Sequence, residues 1–276
     1  MVDMDAHFKM GLIQENFQNL FCKISNSIIK KQNTVYNASG IQHPLFNAIL
    51  NTHETSDNLP NFLNEITDFY KKQNLPFAWW VTKLSQPKNL ELFLIDAGFT
   101  CVQSFSGRVL ELEKYQPTHD NPAAAVPNLS IQPVQNIEEL DAWLVPMQIS
   151  FEFSEEVSKT FLQNIKKIFE NSKDELQHFM AFLNGKHVAS ASLFLDKNSA
   201  GLYNLGVLPE YRKRGIGTAL KHHRLQIAKQ NAYENVVIQS APMGEDIDQK
   251  LGFTEYMRLS AYTKFDGKLQ LKTISD

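Results

Sequence analysis

Cysteine is scarce: Cys22 and Cys101 are the two in a chain of 276 residues. They lack C-x-x-C spacing, so a disulfide scaffold is not expected and free thiols in a reducing cytoplasm fit better. Each reads as a small buried hydrophobe rather than a nucleophile. No run approaches about 18 consecutive apolar residues, which argues against a membrane-spanning helix. The opening Met1-Val2-Asp3-Met4-Asp5 is acidic and lacks the basic-then-apolar order of a secretory leader. Net charge is only −3, which gives no electrostatic case for nucleic acid or an anionic membrane as partner. What remains is a globular protein of one large domain or two ordinary ones.

One stretch stands out. Ala200 to Val207 is an apolar, strand-like run, and Thr218 to Gln230 has helical periodicity. Between them lies Leu208-Pro209-Glu210-Tyr211-Arg212-Lys213-Arg214-Gly215-Ile216-Gly217. Gly215 and Gly217 allow unusual dihedrals and a close ligand. The first amides of the next helix have no partner within it, and its dipole favours negative charge there. With Arg212, Lys213 and Arg214 added, strand, basic glycine turn and helix N-terminus form a phosphate or pyrophosphate site. It is not a P-loop, since no lysine precedes Thr218, nor a dinucleotide fingerprint, which needs three glycines.

Arg212-x-x-Gly215-x-Gly217, preceded by Val207-x-Pro209-x-Tyr211, resembles the coenzyme A pyrophosphate loop of the GCN5-related N-acetyltransferases (GNAT). The resemblance covers about Ile131 to Lys264. It implies that acetyl-CoA or another acyl-CoA is the co-substrate, with no metal. It also implies that Leu205, Gly206 and Val207 present backbone groups to the pantetheine arm, and that Arg212, Lys213, Arg214, Gly215, Ile216, Gly217 and Thr218 hold the pyrophosphate.

The second half reads in order as strand 131–134, helix 137–147, and a helix capped at Ser154 and running to about Glu170. Strands follow at 178–183, 186–195 and 200–207, with an Asn184-Gly185 hairpin turn between the first two. Then come the loop, a helix with Ile216, Ala219, Leu220, His223 and Ile227 on one face, a strand at 235–239, a short helix ending at Gly252, and terminal strands. The order β-α-α-β-β-β-α-β-α-β is mixed α/β, a sheet flanked by helices.

In the first half, 8–31 and 61–72 read as amphipathic helices. Residues 44–50, 75–81 and 100–112 read as strands, and 89–97 as a helix stopped by Gly98. Trp79 and Trp80 read as core. Asp96-Ala97-Gly98-Phe99 before a strand is echoed by Lys250-Leu251-Gly252-Phe253, a faint internal repeat. This half has no glycine-basic loop. It resembles the degenerate N-terminal half of tandem acetyltransferase-like proteins, so a tandem GNAT-like fold is expected: 1–116 degenerate domain, 117–129 linker rich in proline and alanine, 130–276 acetyltransferase domain.

The reaction implied is acyl transfer, with acetyl the expected group, from a thioester to a primary amine on a small molecule or peptide. The resemblance leaves the protein a monomer or a homodimer. An attacking amine must lose a proton, the oxyanion needs a donor and the leaving thiolate needs a proton. The family often carries a tyrosine for that last role four positions before the Leu-Gly-Phe glycine. Here the position is Asp248, a poor acid near neutral pH. Tyr203, Asp248 and Tyr256 are the candidate catalytic residues. Asp248, beside Glu245 and Asp246, reads as a solvated carboxylate that steers a cationic amine. The missing tyrosine also leaves open a non-catalytic acyl-CoA-binding protein.

Overall fold

The computed structural model describes residues 3–31, 34–116 and 126–264. Its Cα atoms form two compact units interleaved along the chain. The first comprises 1–107, Ser240–Glu245 and the chain from Tyr256 on; the second comprises 108–239 and Asp246–Glu255. The linker expected at 117–129 lies mostly outside the described residues. Its end is already structured, since Leu129 begins a strand.

The first unit opens with α1 (Met4–Lys23), whose first amides are capped by the Asp3 carboxylate. The helix expected to reach residue 31 ends early. Ser25 turns its hydroxyl onto the Phe21 carbonyl at 2.5 Å, and Asn26 bonds the Ser39 carbonyl at 2.7 Å. Such short polar side chains compete with the helical ladder. Ile28 then sits exposed in β1 (Ser27–Lys31). β2 (Thr34–Ala38) and β3 (Ala48–Leu50) follow. The strand expected over 44–50 is a 3-10 turn, Pro44–Phe46, before β3, because proline suits a first helical position. Then come α2 (Leu59–Lys72), β4 (Ala78–Val81), α3 (Leu90–Asp96) and β5 (Thr100–Glu111), with Gly98 left-handed between the last two. The strand order is β1-β2-β3-β4-β11-β5, where β11 is Thr254–Thr263. Phe62, Ile66, Tyr70 and Trp79 form the core with Leu90 and Leu94. The tryptophans are indeed buried, and the Trp79 ring nitrogen donates to Thr52 at 2.7 Å.

The second unit contains β6 (Leu129–Pro133), α4 (Glu139–Ser150), α5 (Glu155–Ser172), β7 (Leu176–Leu183), β8 (Lys186–Leu195), β9 (Ala200–Val207), α6 (Ile216–Gln230) and β10 (Asn235–Ser240). α7 (Pro242–Lys250) follows. Ser154 caps α5 by accepting from the Val157 amide at 3.2 Å. Asn184 and Gly185 both take positive φ, as a two-residue hairpin requires. The sheet order is β10-β9-β8-β7-β6, antiparallel except for the parallel β10–β9 pair. This is the mixed α/β order read from the sequence. Phe179, Val188, Leu193, Leu202, Leu220, Leu225 and Val236 are central to its core.

Gly206 shows how tightly α4 lies on β9. A Cβ there would stand 2.8 Å from both the Met147 Cα and the Pro146 carbonyl oxygen. Both neighbours are backbone and cannot swing aside. Gly206→Ala should therefore lower stability by about 1–3 kcal/mol, read as a fall in the urea midpoint. An unchanged midpoint would mean that α4 yields without cost.

Candidate functional site

β9 is paired in full along one side and in part along the other. With β8 the register runs from Leu195↔Ala200 to Ala189↔Val207. With β10 it covers Ala200, Gly201 and Leu202 among the described residues. From Tyr203 to Val207 no pairing with β10 is present among the described residues. Within the same stretch a bulge interrupts β8–β9: Ser192 faces Tyr203 and Ser190 faces Gly206, so Asn204 and Leu205 oppose Ala191 alone. Asn204, one of the two residues in the bulge, takes a left-handed φ of 55°.

Side chains hold the bulge from several directions. The Asn204 amide donates to the Ser192 hydroxyl at 3.2 Å, and that hydroxyl meets His178 Nδ1 at 2.9 Å. The Trp143 ring nitrogen donates to the Ala191 carbonyl at 3.1 Å. Arg224 Nη1 donates to the carbonyls of Ser192 at 2.7 Å and Tyr203 at 3.1 Å. Nearer the loop, the Val207 carbonyl accepts from Ser150 at 3.0 Å and from Arg212 Nε at 3.2 Å.

Past β9 the chain makes a 3-10 turn at Pro209–Tyr211. Lys213 (φ 60°) and Gly215 (φ 80°) are both left-handed. Gly215 is the N-cap of α6 and offers no side chain to its amides, so the helix presents its first N–H groups outward. Arg212, Lys213, Arg214 and Gly215 are exposed. Arg214 and Lys186 both lie over the Tyr211 ring, at 5.3 and 5.1 Å from its centroid, a geometry that fixes cations at the mouth of the loop. A Cβ on Gly217 would meet Leu205 and Val207 at 3.7 and 3.8 Å, ordinary contacts. The fold itself does not require glycine there.

The three candidate catalytic residues lie in different settings. Asp248 is fully buried and ion-paired with the equally buried Lys221 of α6. The solvated steering carboxylate is thus corrected: a carboxylate with no exposed surface cannot attract an amine from solution. Tyr203 lies on β9 with its hydroxyl hydrogen-bonded to Gln239, and burial pushes its acidity far down, so it stays protonated. Tyr256, partly buried on β11, falls in the first unit. Cys101 is exposed rather than buried, and partial desolvation raises its thiol and that of Cys22. Neither is an activated nucleophile.

Sequence reading missed the inner face of α6. The buried positions are Ile216, Ala219, Leu220, Lys221, Arg224, Leu225 and Ala228, while His223 and Ile227 are partly exposed. The face read from the sequence, through His223 and Ile227, is rotated away from Lys221 and Arg224. The available signal was Lys221 and Arg224 at i, i+3, each beside a buried leucine. Arg224 has no exposed surface, and its Nη2 is buried without a hydrogen-bond partner. Burial lowers its pKa to about 9, against the opposing pull of Asp248.

The second unit thus has the element order read from the sequence, with a basic turn between β9 and α6. Residues 137–243 match the family model described as the acetyltransferase (GNAT) family. A GCN5-related N-acetyltransferase from Kribbella flavida is similar over 98% of both chains, with a TM-score of 0.69 and 14% identity. A tandem GNAT protein from the clavulanic acid biosynthesis pathway is similar over 88% of this chain and 83% of its own (TM-score 0.58, 15% identity). A GCN5-related N-acetyltransferase from Sphaerobacter thermophilus is similar over 86% and 75% (TM-score 0.62, 10% identity). At these identities the likeness is one of fold. No curated protein matches the sequence. Among the described residues no helix is long and apolar enough to cross a membrane.

The buried His178 supplies a pH prediction. Burial lowers its pKa from the ordinary 6.5 to about 3. As pH falls below 6.5 the unfolded chain takes up a proton that the folded chain refuses. Its stabilising contribution is therefore complete above about 6.5 and is lost as pH falls toward 3. The slope is about 1.4 kcal/mol per pH unit. Urea melts at pH 7 and pH 5 should differ by less in His178→Phe than in the native chain. An equal difference would assign the acid sensitivity elsewhere.

Proposed function

We propose that the second unit binds an acyl-CoA and transfers its acyl group, acetyl in the first instance, to an amine of a small molecule or peptide. The observation that carries this reading is the open side of β9 from Tyr203 to Val207 running directly into a basic loop and an uncapped helix N-terminus. Apart from the Tyr203 and Val207 carbonyls, which accept from side chains, such a stretch would offer backbone groups to an amide-bearing arm, and the loop would offer amides and cations to a pyrophosphate. The residues fit the donor. Leu205 and Val207 lie on the stretch without β10 pairing, and Arg212 to Thr218 would surround the phosphates. Gly217 leaves a surface that its own fold does not fill. Gly206, in contrast, is glycine for the sake of α4.

Catalysis would rest mainly on positioning. A neutral amine attacks the thioester carbonyl, and an amide at the Asn204–Leu205 bulge is the natural donor to the oxyanion. Water takes the amine's proton. Tyr203 has a hydroxyl that stays protonated and can donate but cannot serve as base. Tyr256 has no part in this assignment. The first unit, without a glycine-basic loop, would bind no coenzyme. A second reading, CoA binding without turnover, is favoured by one observation: a buried, paired Asp248 stands where the family often has its tyrosine.

Calorimetry with CoA should show one site per chain. Arg212→Ala should weaken binding by about ten- to a hundredfold, the range for a charged hydrogen bond. Gly217→Val should abolish it while leaving the urea midpoint near native. Equal binding by Gly217→Val and the native chain would overturn the site. Thiol release from acetyl-CoA over a panel of amines separates transferase from binding protein.

A further inference from the structure

One cation at the basic turn comes from another element. Lys186 opens β8, directly after the Asn184-Gly185 hairpin. Ala189 of β8 faces Val207 of β9, and the Leu208 amide donates to the Val188 carbonyl at 2.9 Å. The two strands are antiparallel, so Lys186 stands past the end of β9, beside the 3-10 turn at Pro209–Tyr211. There its ammonium lies 5.1 Å from the centre of the Tyr211 ring. Arg214 reaches the same ring from the loop, at 5.3 Å. Both cations are exposed, while the ring is partly buried and packed on the core of the second unit. Tyr211 is therefore a fixed platform that holds two mobile side chains in one place.

The charge around this ring is unbalanced. Between Leu208 and Gly217 the chain has three cations, Arg212, Lys213 and Arg214, and one carboxylate, Glu210. Lys186 adds a fourth cation. A hydrogen bond to the Tyr211 side chain raises its pKa, with a weaker pull from Glu210, so the ammonium stays charged at neutral pH. Two like charges gathered at one ring repel each other, a cost that an anion between them removes. Lys186 and Arg214 also differ from Arg212, whose Nε is turned back onto the Val207 carbonyl.

The direction of the coenzyme says which anion that is. With the pantetheine arm along β9 from the bulge to Val207 and the pyrophosphate at the start of α6, the nucleoside end leaves past Val207, on the side where Lys186 stands. That end of CoA carries a phosphate monoester on its ribose. A monoester bears about −1.5 to −2 charges at neutral pH, so it is the most highly charged group of the molecule.

We propose that Lys186 and Arg214, held against Tyr211, bind the ribose 3′-phosphate and make the site selective for CoA over donors that lack that group. The idea rests on the acyl-CoA reading above. The pyrophosphate stays with the α6 amides, Arg212 and Lys213. Arg214 supplies a planar fork that can meet two phosphate oxygens, and Lys186 supplies a compact point charge.

The test is calorimetry on the full-length protein at low salt with two ligands, CoA and 3′-dephospho-CoA. The native protein should prefer CoA by about tenfold or more, the sum of two exposed charge-assisted contacts. Added salt should narrow that preference. Lys186→Ala should weaken CoA binding and leave dephospho-CoA binding at its native strength, so that the preference falls to about threefold or less. Lys186→Arg keeps the charge and should keep most of the preference. Position 186 is exposed, so both variants should hold the native urea midpoint. Equal binding of the two ligands by the native protein, or an equal loss for both in Lys186→Ala, overturns the subsite and leaves the acyl-CoA reading standing. Binding of neither ligand by the native protein overturns the acyl-CoA reading and the subsite with it.

Discussion

A guanidinium sealed inside the second unit has to find acceptors, and that requirement fixes α6 against the sheet. Arg224 spends its donors on its own helix at Leu220, on β8 at Ser192 and on β9 at Tyr203. Those last two carbonyls belong to the pair of residues that closes the bulge on one side. One side chain therefore locks the helix whose N-terminus forms the loop to the strand whose open side leads into it. Removing it would leave carbonyls buried and unsatisfied, a loss larger than that of an average hydrogen bond.

The rest of the site follows from this lock. With α6 held, Gly215 must reverse the chain in a left-handed conformation, and its lack of a Cβ makes that turn inexpensive. With β9 held on the β8 side and by α4 through Gly206, its parting from β10 beyond Leu202 has only the β10 side to open on. The basic loop, the bulge and the open strand side are thus one construction within one unit. The buried Lys221–Asp248 pair ties α7 to the same helix, so both helices after the loop are referenced to a single charged cluster.

Most of the second half could be read directly from the residues. Ser154, Asn184-Gly185 and Gly215 each announce a cap or turn with a known conformation, and the structure uses them as such. Alternation of period also gave the order of its elements. Two kinds of error have physical causes. Ser25 and Asn26 ended α1 through hydrogen bonds to the backbone of Phe21 and Ser39; the second is a tertiary contact that periodicity cannot register. Asp248 was assigned to water because charged residues usually are, and Lys221 and Arg224 were not singled out. Only the fold brings Lys221 and Asp248 together, and sequence carries no distance between them. The bulge at Asn204 was equally hidden. The neighbouring Gly206 drew notice, but its missing Cβ serves α4 instead.

The central claim is that one coenzyme site exists in this chain, at the loop after β9. Hydrogen–deuterium exchange on the full-length protein, with and without saturating CoA, measures this most directly, because it reports on backbone amides segment by segment. The account predicts that CoA slows exchange in peptides covering Leu205 to Ala219 and leaves the first unit unchanged. Protection confined to the first unit, or absent from the loop while CoA is bound, would contradict it.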